Sequence, residues 1–353
     1  MPTPQTEITR PGPLLTSDGR LAQVGWARHA LLDCNLEAAA FYPRLLHPLQ
    51  KLRVKRWDYY ALFTPQRFFS ATVADLGYAA NVFVYTLDFA TLHLHEEGLV
   101  LGSGAVALPR GSDAGETLYQ GKGGCLRFRV EGDTRKLEVD WPGFEGGKGI
   151  RADLRLHCPP EHESMTIVIP IRGKNGKGKR FYYNTKINCM PAEGTLEYDG
   201  QREEVRPDES LASLDWGRGV WEYRSFWNWA SASGFLPDGR RIGLNLGKGF
   251  GDLSAAGENA LILEGQIHKL GPLTWEYDSG DYMRPWRFRD SEGRLDLTFT
   301  PFKERVARSN LLVIFSQVHQ MFGKYSGTVV ADNGEKIQID GLTGFAEEHH
   351  ARW

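Results

Sequence analysis

Residues Leu214 to Gly234 read LDWGRGVWEYRSFWNWASASG, and the reading of this stretch decides the fold. It holds Trp216, Trp221, Trp227 and Trp229, four of the chain's ten tryptophans, beside Asp215, Arg218, Glu222, Arg224 and Asn228. Taken as a strand, Trp221 to Trp229 divides by the period of two. Trp221, Tyr223, Ser225, Trp227 and Trp229 fall on one face, and Glu222, Arg224, Phe226, Asn228 and Ala230 on the other. Aromatic walls carrying a few polar groups line ligand pockets, and they also fill the cores of large β proteins. In a barrel one face looks inward and the other outward. Asp215 and Arg218, just ahead of the strand, are expected at a barrel mouth, as an ion pair that fixes a corner or as part of a site.

Outward from this stretch the text is rich in strands. Leu126, Phe128 and Val130 alternate with Arg127 and Arg129, the mark of a half-buried strand; Leu137, Val139 and Trp141 repeat the pattern, as do Ala152, Leu154 and Leu156. Trp57–Phe63 and Phe68–Val73 flank a Thr64-Pro65-Gln66 turn, and Asn81–His95 is a long β-rich run. Met165–Ile171 is continuously apolar and so expected to be buried on both faces, with Phe181–Cys189 as its hairpin partner. Turns are marked at Pro237-Asp238-Gly239, Glu264-Gly265, Ser291-Glu292-Gly293 and Asp332-Asn333-Gly334; the last predicts a type I′ hairpin. Ala30–Gln50 is the best helical candidate, cut short by Pro43 and Pro48. Strands never alternate with helices, which disfavours a parallel α/β sheet. The polar segment Glu193–Ser213 predicts a crossover, dividing the chain into an N-terminal barrel over 1–205, with an extended lead-in, and a C-terminal barrel over 206–353.

Bulk composition sets the limits. With 353 residues, 41% hydrophobic and 24% charged, the chain can bury a large core without disulfides. A net charge of -2 gives no reason to expect a nucleic-acid partner. The four cysteines, Cys34, Cys125, Cys158 and Cys189, form no CxxC pair, against a zinc ribbon or a disulfide framework. The N-terminus has no basic region followed by an apolar run, and no apolar segment approaches the roughly 18 residues of a membrane span. The expected location is cytoplasmic. Forty glycines with 12% aromatics point to an all-β chain with many turns.

Some motifs fail on inspection. Gly173 to Arg180, GKNGKGKR, resembles a phosphate loop, but Arg180 stands where the metal-binding hydroxyl belongs and β-like text follows. Gly102-Ser103-Gly104 is followed by Pro109-Arg110-Gly111, which ends any helix. Gly247–Gly251, GKGFG, reads as a bulge or a bend. His93 and His95 share a strand face with Glu97, yet a solvated strand end accounts for them, and Glu347-Glu348-His349-His350 reads as a polar tail unless the last strand is packed. No metal site and no cofactor is expected.

The stretch Leu214-Asp215-Trp216-Gly217-Arg218-Gly219-Val220-Trp221, followed by Trp227-Asn228-Trp229, resembles the signature of a family catalogued as a domain of unknown function (DUF2804). So do Gly257-Glu258-Asn259-Ala260 with Gly265 to Leu270, His319 to Gly323 with Tyr325-Ser326-Gly327, and Gly344 to His349. The resemblance spans nearly the whole chain. It implies an all-β fold of two lipocalin-like antiparallel (calycin-like) barrels packed together with few short helices, like carotenoid hydratases, tocopherol cyclases and AttH proteins. Those proteins handle isoprenoids or other lipids. Their motifs differ from this text, so their chemistry enters by fold analogy alone.

Three functions fit. The first is a cofactor-independent hydratase, cyclase or isomerase on an isoprenoid or lipid. It needs a proton donor and aromatic faces to stabilise a carbocation. Asp215, His319 and Glu347 are the candidate acids or bases, and Arg218 would orient Asp215. Trp216, Trp221, Tyr223, Trp227, Trp229 and Tyr325 are the candidate faces, with Asn228 or Gln320 to position a water. The second is a lipid carrier or sensor with the same residues lining a cavity. The third, ranked lower, is a glycan-binding or glycan-active β-sandwich, which predicts exposed coplanar tryptophans. The expected partner is a hydrophobic small molecule, with transient contact with a membrane surface left open.

Overall fold

The computed structural model describes residues 5–171, 179–311 and 314–352. Two antiparallel sheets each curl around a core of their own and pack face to face. The first runs Leu94–Gly102, Ala79–Asp88, Arg67–Asp75, Lys55–Phe63, Leu211–Gly219, Arg180–Tyr198, Ile150–His157, Thr134–Trp141, Gly124–Glu131, Glu116–Gly121, with Met165–Ile171 branching onto Arg180–Tyr198. The second runs Gln266–Lys269, Ala260–Leu263, Arg241–Lys248, Arg224–Phe235, Lys336–Arg352, Ile314–Val330, Leu295–Leu311, Trp286–Asp290, Leu273–Glu276. The helical candidate at Ala30–Gln50 reduces to 3-10 turns at Leu36–Ala38 and Arg44–Arg53, as its prolines require.

Which strands face water follows from the side-chain period. Leu126, Phe128, Leu137, Val139, Leu154 and Leu156 point into the first core while their neighbours are wet. The Lys55–Phe63 strand is enclosed on both sides: Tyr60 and Leu62 enter the first core, whereas Tyr59, Ala61 and Phe63 face the second sheet. Met165–Ile171 is buried on both faces as predicted and pairs with Arg180–Tyr198. A third apolar layer therefore lies between the sheets, built from Phe68, Tyr85, Ile167, Tyr182, Trp229, Phe322 and Phe345 among others. The lead-in clasps both halves. Thr6 N–H donates to the Ala255 carbonyl (2.8 Å), and Arg28 binds Glu163 (2.8 Å) and the Ile267 carbonyl (3.1 Å).

Several expectations are corrected here. Asp215-Trp216-Gly217-Arg218-Gly219 is neither a corner nor the start of the second barrel. It is a buried strand inside the first sheet, paired with Lys55–Phe63 and Arg180–Tyr198. Its glycines make room for rings. A Cβ on Gly217 would fall 2.2 Å from Trp57, and one on Gly219 2.8 Å from Trp221. The chain passes from sheet to sheet at residues 220–223, not at 205/206; the polar segment stays within the first sheet, as the hairpin of Arg180–Tyr198 with Gln201–Val205 and the start of the buried strand Leu211–Gly219. The C-terminal text is no frayed tail: Lys336–Arg352 pairs on both sides. The Asn-Gly hairpin forms, but over residues 331–335, with Gly334 at φ 85° and no positive φ at Asn333, so the turn is not type I′. Gly173–Gly178 lie outside the described residues; Arg180 opens a strand, not the helix a phosphate loop needs.

Period two also separates Asp215 from Arg218, so Arg218 does not orient Asp215. Arg218 points into the first barrel, fully buried. It pairs with Asp58 (2.9 Å), donates to the Trp57 carbonyl (2.8 Å) and the Pro109 carbonyl (3.1 Å), and lies over the Trp216 ring at 4.0 Å. Removing one partner of a buried pair leaves an uncompensated charge. Arg218→Ala should therefore lower unfolding stability by about 3–5 kcal/mol, measured by urea denaturation; a loss no larger than that of a surface Arg→Ala change would contradict this role.

Candidate functional site

The layer between the sheets is apolar except for a group of polar side chains at its centre. Lys186, only 3% exposed, is directly paired in register with Asp215. Its Nζ lies 3.0 Å from Asp215 Oδ2, 3.6 Å from Glu258 Oε2 and 3.9 Å from the centre of the Trp229 ring, so the ammonium meets two carboxyls and an aromatic face. Asn184 donates to Asp215 Oδ1 at 2.6 Å. Trp229 is fixed from its other end by Nε1 donation to Asn245 (2.8 Å). Glu258 comes from the loop before Ala260–Leu263, and Gly247 opposite it is a glycine of necessity: a Cβ there would fall 2.2 Å from Glu258 Oε1. Neither carboxyl oxygen of Glu258 accepts a hydrogen bond of normal geometry, and burial raises its proton affinity against the attraction of Lys186.

The second sheet contributes Glu347 and Gln320 from adjacent strands, paired in register. Gln320 donates to Glu347 Oε2 (3.2 Å), accepts from Tyr85 (3.0 Å), and lies 3.4 Å from Arg305. Tyr85 and Tyr59 share a hydrogen bond of 2.9 Å, and Arg305 is held by Glu96 at 2.7 and 2.9 Å. Burial pushes the Glu347 carboxyl up to about 7. Arg305 and Lys186 oppose that shift, Asp215 adds to it, and a hydrogen bond from Trp227 opposes it more weakly. Glu347 is thus held near neutrality, and Glu258 beside it is also raised by burial; shifts of this kind are concentrated at functional sites.

The predicted residues are distributed over four places. Asp215, Trp221, Trp227, Trp229, Gln320 and Glu347 belong to the layer between the sheets, with Trp221 packed on Trp57 and Tyr182 (5.2 and 5.4 Å). Trp216 and Arg218 lie inside the first barrel. Asn228, His319 and Tyr325 lie on the inner side of the second. There Asn228 donates to Tyr277 (3.1 Å), His319 binds Glu304 (2.7 Å) and stacks on Tyr282, and Tyr325 donates to the Phe345 carbonyl (2.7 Å). Tyr223 is exposed, because the regular strand starts only at Arg224 and the period does not extend back to it. Lys186, Glu258, Arg305, Tyr59 and Tyr85 were not singled out from sequence. The available signal was a lone charge inside apolar strand text, as Lys186 is in FYYNTKINC. His93 and His95 are engaged by separate carboxylates, Glu145 and Glu97. A cavity of about 350 Å³ opens at one end of the same layer, between Phe63, Leu211, Ser233, Ile242 and Leu342; it touches neither Asp215 nor His319.

Two curled antiparallel half-barrels with a shared buried layer define the lipocalin-like two-barrel class. Within that class the chain belongs to the family described as a domain of unknown function (DUF2804), whose model matches residues 5–353. No curated protein matches it significantly. Among solved structures it is similar to CghA with Sch210972, at TM-score 0.50 and 12% identity over 85% of this chain and 88% of that one. It is also similar to kievitone hydratase from Nectria haematococca, at TM-score 0.46 and 12% identity over 86% and 90%. A Nitrosomonas europaea protein described as an AttH gives TM-score 0.45 and 14% identity over 85% and 92%.

The raised Glu347 carboxyl has a thermodynamic signature. Between the ordinary carboxylate value of 4.5 and about 7 the folded chain holds a proton that the unfolded chain has released. The stabilisation from this group is therefore complete below pH 4.5 and is lost as pH rises through 7. Urea titrations at pH 5 and pH 7.5 should show wild type losing more stability over that interval than Glu347→Gln, which has no such proton; equal losses would show that Glu347 titrates normally.

Proposed function

We propose that the chain is a cofactor-independent enzyme that transfers a proton to or from a hydrophobic small molecule, of isoprenoid or lipid type, bound at the layer between the two barrels. Glu347 is the proton-transferring group. What supports this reading is a carboxyl enclosed between the sheets, hydrogen-bonded to Gln320 and Trp227 and pushed by burial up to about 7. At neutral pH such a group is present in both protonation states and can serve as acid and as base. Asp215 and Lys186 fix the charge balance beside it, and Gln320, anchored by Tyr85 and Arg305, orients it. The Trp229 face already accepts an ammonium at 3.9 Å, the same quadrupole attraction that would stabilise a carbocation formed by alkene protonation. Trp227, half-buried, is the ring through which a substrate would reach Glu347. That CghA, which shares the fold, is crystallised with Sch210972 is in keeping with a small-molecule ligand.

The glycan reading has no support in the tryptophans of the stretch. Trp216, Trp221 and Trp229 are buried and form no exposed platform. A carrier remains the second reading, favoured by the 350 Å³ cavity, which is of ligand size and separate from Glu347. A stoichiometric, chemically unchanged lipid in native mass spectrometry of the isolated protein would decide for it.

Protonation of an alkene from exchangeable acid leaves a solvent hydrogen on carbon, whether the product is hydrated, cyclised or isomerised. Incubation with polyene isoprenoids in deuterated water should give deuterium in the product, with a pH–rate inflection near 7. Glu347→Gln should lower the rate by about 100-fold or more. No incorporation by wild type across the panel, or an unchanged rate in Glu347→Gln, removes the enzymatic reading.

A further inference from the structure

At one end of the first barrel a charge stands where the strand calls for an apolar residue. On Thr134–Trp141, residues 135, 137, 139 and 141 point inward; three are Leu137, Val139 and Trp141, and the fourth is Arg135. Arg135 is 7% exposed. Among the described residues it forms no ion pair: its Nε has no partner, and its Nη1 lies 3.5 Å from the Tyr60 hydroxyl, the outer limit of a hydrogen bond. The remaining neighbour, the Cys158 thiol, shares a hydrogen bond with the guanidinium, but burial pushes the thiol toward its neutral form and it supplies no counter-charge. A buried guanidinium without a carboxylate is costly, and such groups are normally paired.

Arg135 lines a cavity of about 190 Å³, separate from the layer between the sheets. His29, Ser112 and Thr134 add polar groups to its wall, and Val130 and Ile187 supply an apolar side. Asp113, the acid in this wall, is exposed and forms no ion pair with Arg135. The guanidinium fork matches a carboxylate, which accepts two parallel N–H bonds. The volume suits a small acid of about eight non-hydrogen atoms, since a cavity of ~150 Å³ holds benzene.

We infer that the open end of the first barrel is a binding site for a small monocarboxylate with a short apolar tail, with Arg135 as its counter-ion. The site is independent of Glu347 and of the proton-transfer function proposed above.

The test is calorimetric titration of the full chain with hexanoate, 1-hexanol and inorganic phosphate. Wild type should bind hexanoate saturably and hexanol at least tenfold more weakly. Arg135→Met should bind hexanoate at least tenfold more weakly while melting, without ligand, at the wild-type temperature or above, because an unpaired buried cation has been removed. Absence of hexanoate binding by wild type, equal binding of hexanol, tighter binding of phosphate, or undiminished hexanoate binding by Arg135→Met would each overturn the assignment. If Arg135→Met does not fold, Thr134→Trp, which fills the cavity from its rim and leaves the charge in place, decides: lost binding supports the site and retained binding overturns it.

Discussion

The ammonium of Lys186 constrains everything around it. It is enclosed between two sheets that bury their outer faces against each other, and its tolerance there depends on Asp215, Glu258 and the face of Trp229 arriving together. Asp215 reaches it because the two strands pair in register, and Trp229 reaches it from the other sheet. The polar group is therefore assembled only when both sheets have docked. Burial is the main reason why Glu258 and Glu347 hold their protons above the usual carboxylate range; the nearby Asp215 charge adds to it, and Lys186 opposes it. Apolar side chains of the same volume would fill such a layer at no desolvation cost, so each of these acids is held there against a penalty.

Strands with one wet face were legible. Leu126, Phe128, Leu137, Val139, Leu154 and Leu156 alternate with charged residues, and all point into the first core. The signal fails where both faces are buried. Lys55–Phe63 and Leu211–Gly219 lose their alternation because one phase enters a barrel and the other meets the second sheet. Without alternation, Gly217 looks like a turn residue, when it is the space for the Trp57 ring contributed by the neighbouring Lys55–Phe63 strand. Crowding from a distant ring leaves no local trace.

The candidate site was half legible for the same reason. Trp227 and Trp229 were placed on one face correctly because they lie within a regular strand. Asp215 and Arg218 were wrongly joined because a strand three residues long in separation puts its ends on opposite faces, whereas a turn would not. Lys186 and Glu258 carry no such signal, since their partnership spans 72 residues of sequence and exists only across the interface. Period and composition report what a residue's own strand does. They do not report which face of another sheet will cover it.

The insertion of Leu211–Gly219 beside Lys55–Phe63 has a consequence in time. Tyr60 waits for Leu214 before its strand gains its second neighbour. At a synthesis rate of roughly 5–20 residues per second, this interval is about 8–30 s. During it, a strand edge carrying Trp57, Tyr59 and Tyr60 is without its final partner on a growing chain. Such an edge invites pairing with other chains. The first barrel therefore cannot complete its pairing until the Asp-Trp-Gly-Arg-Gly strand has emerged, and the same strand that carries Asp215 into the layer between the sheets also covers that edge.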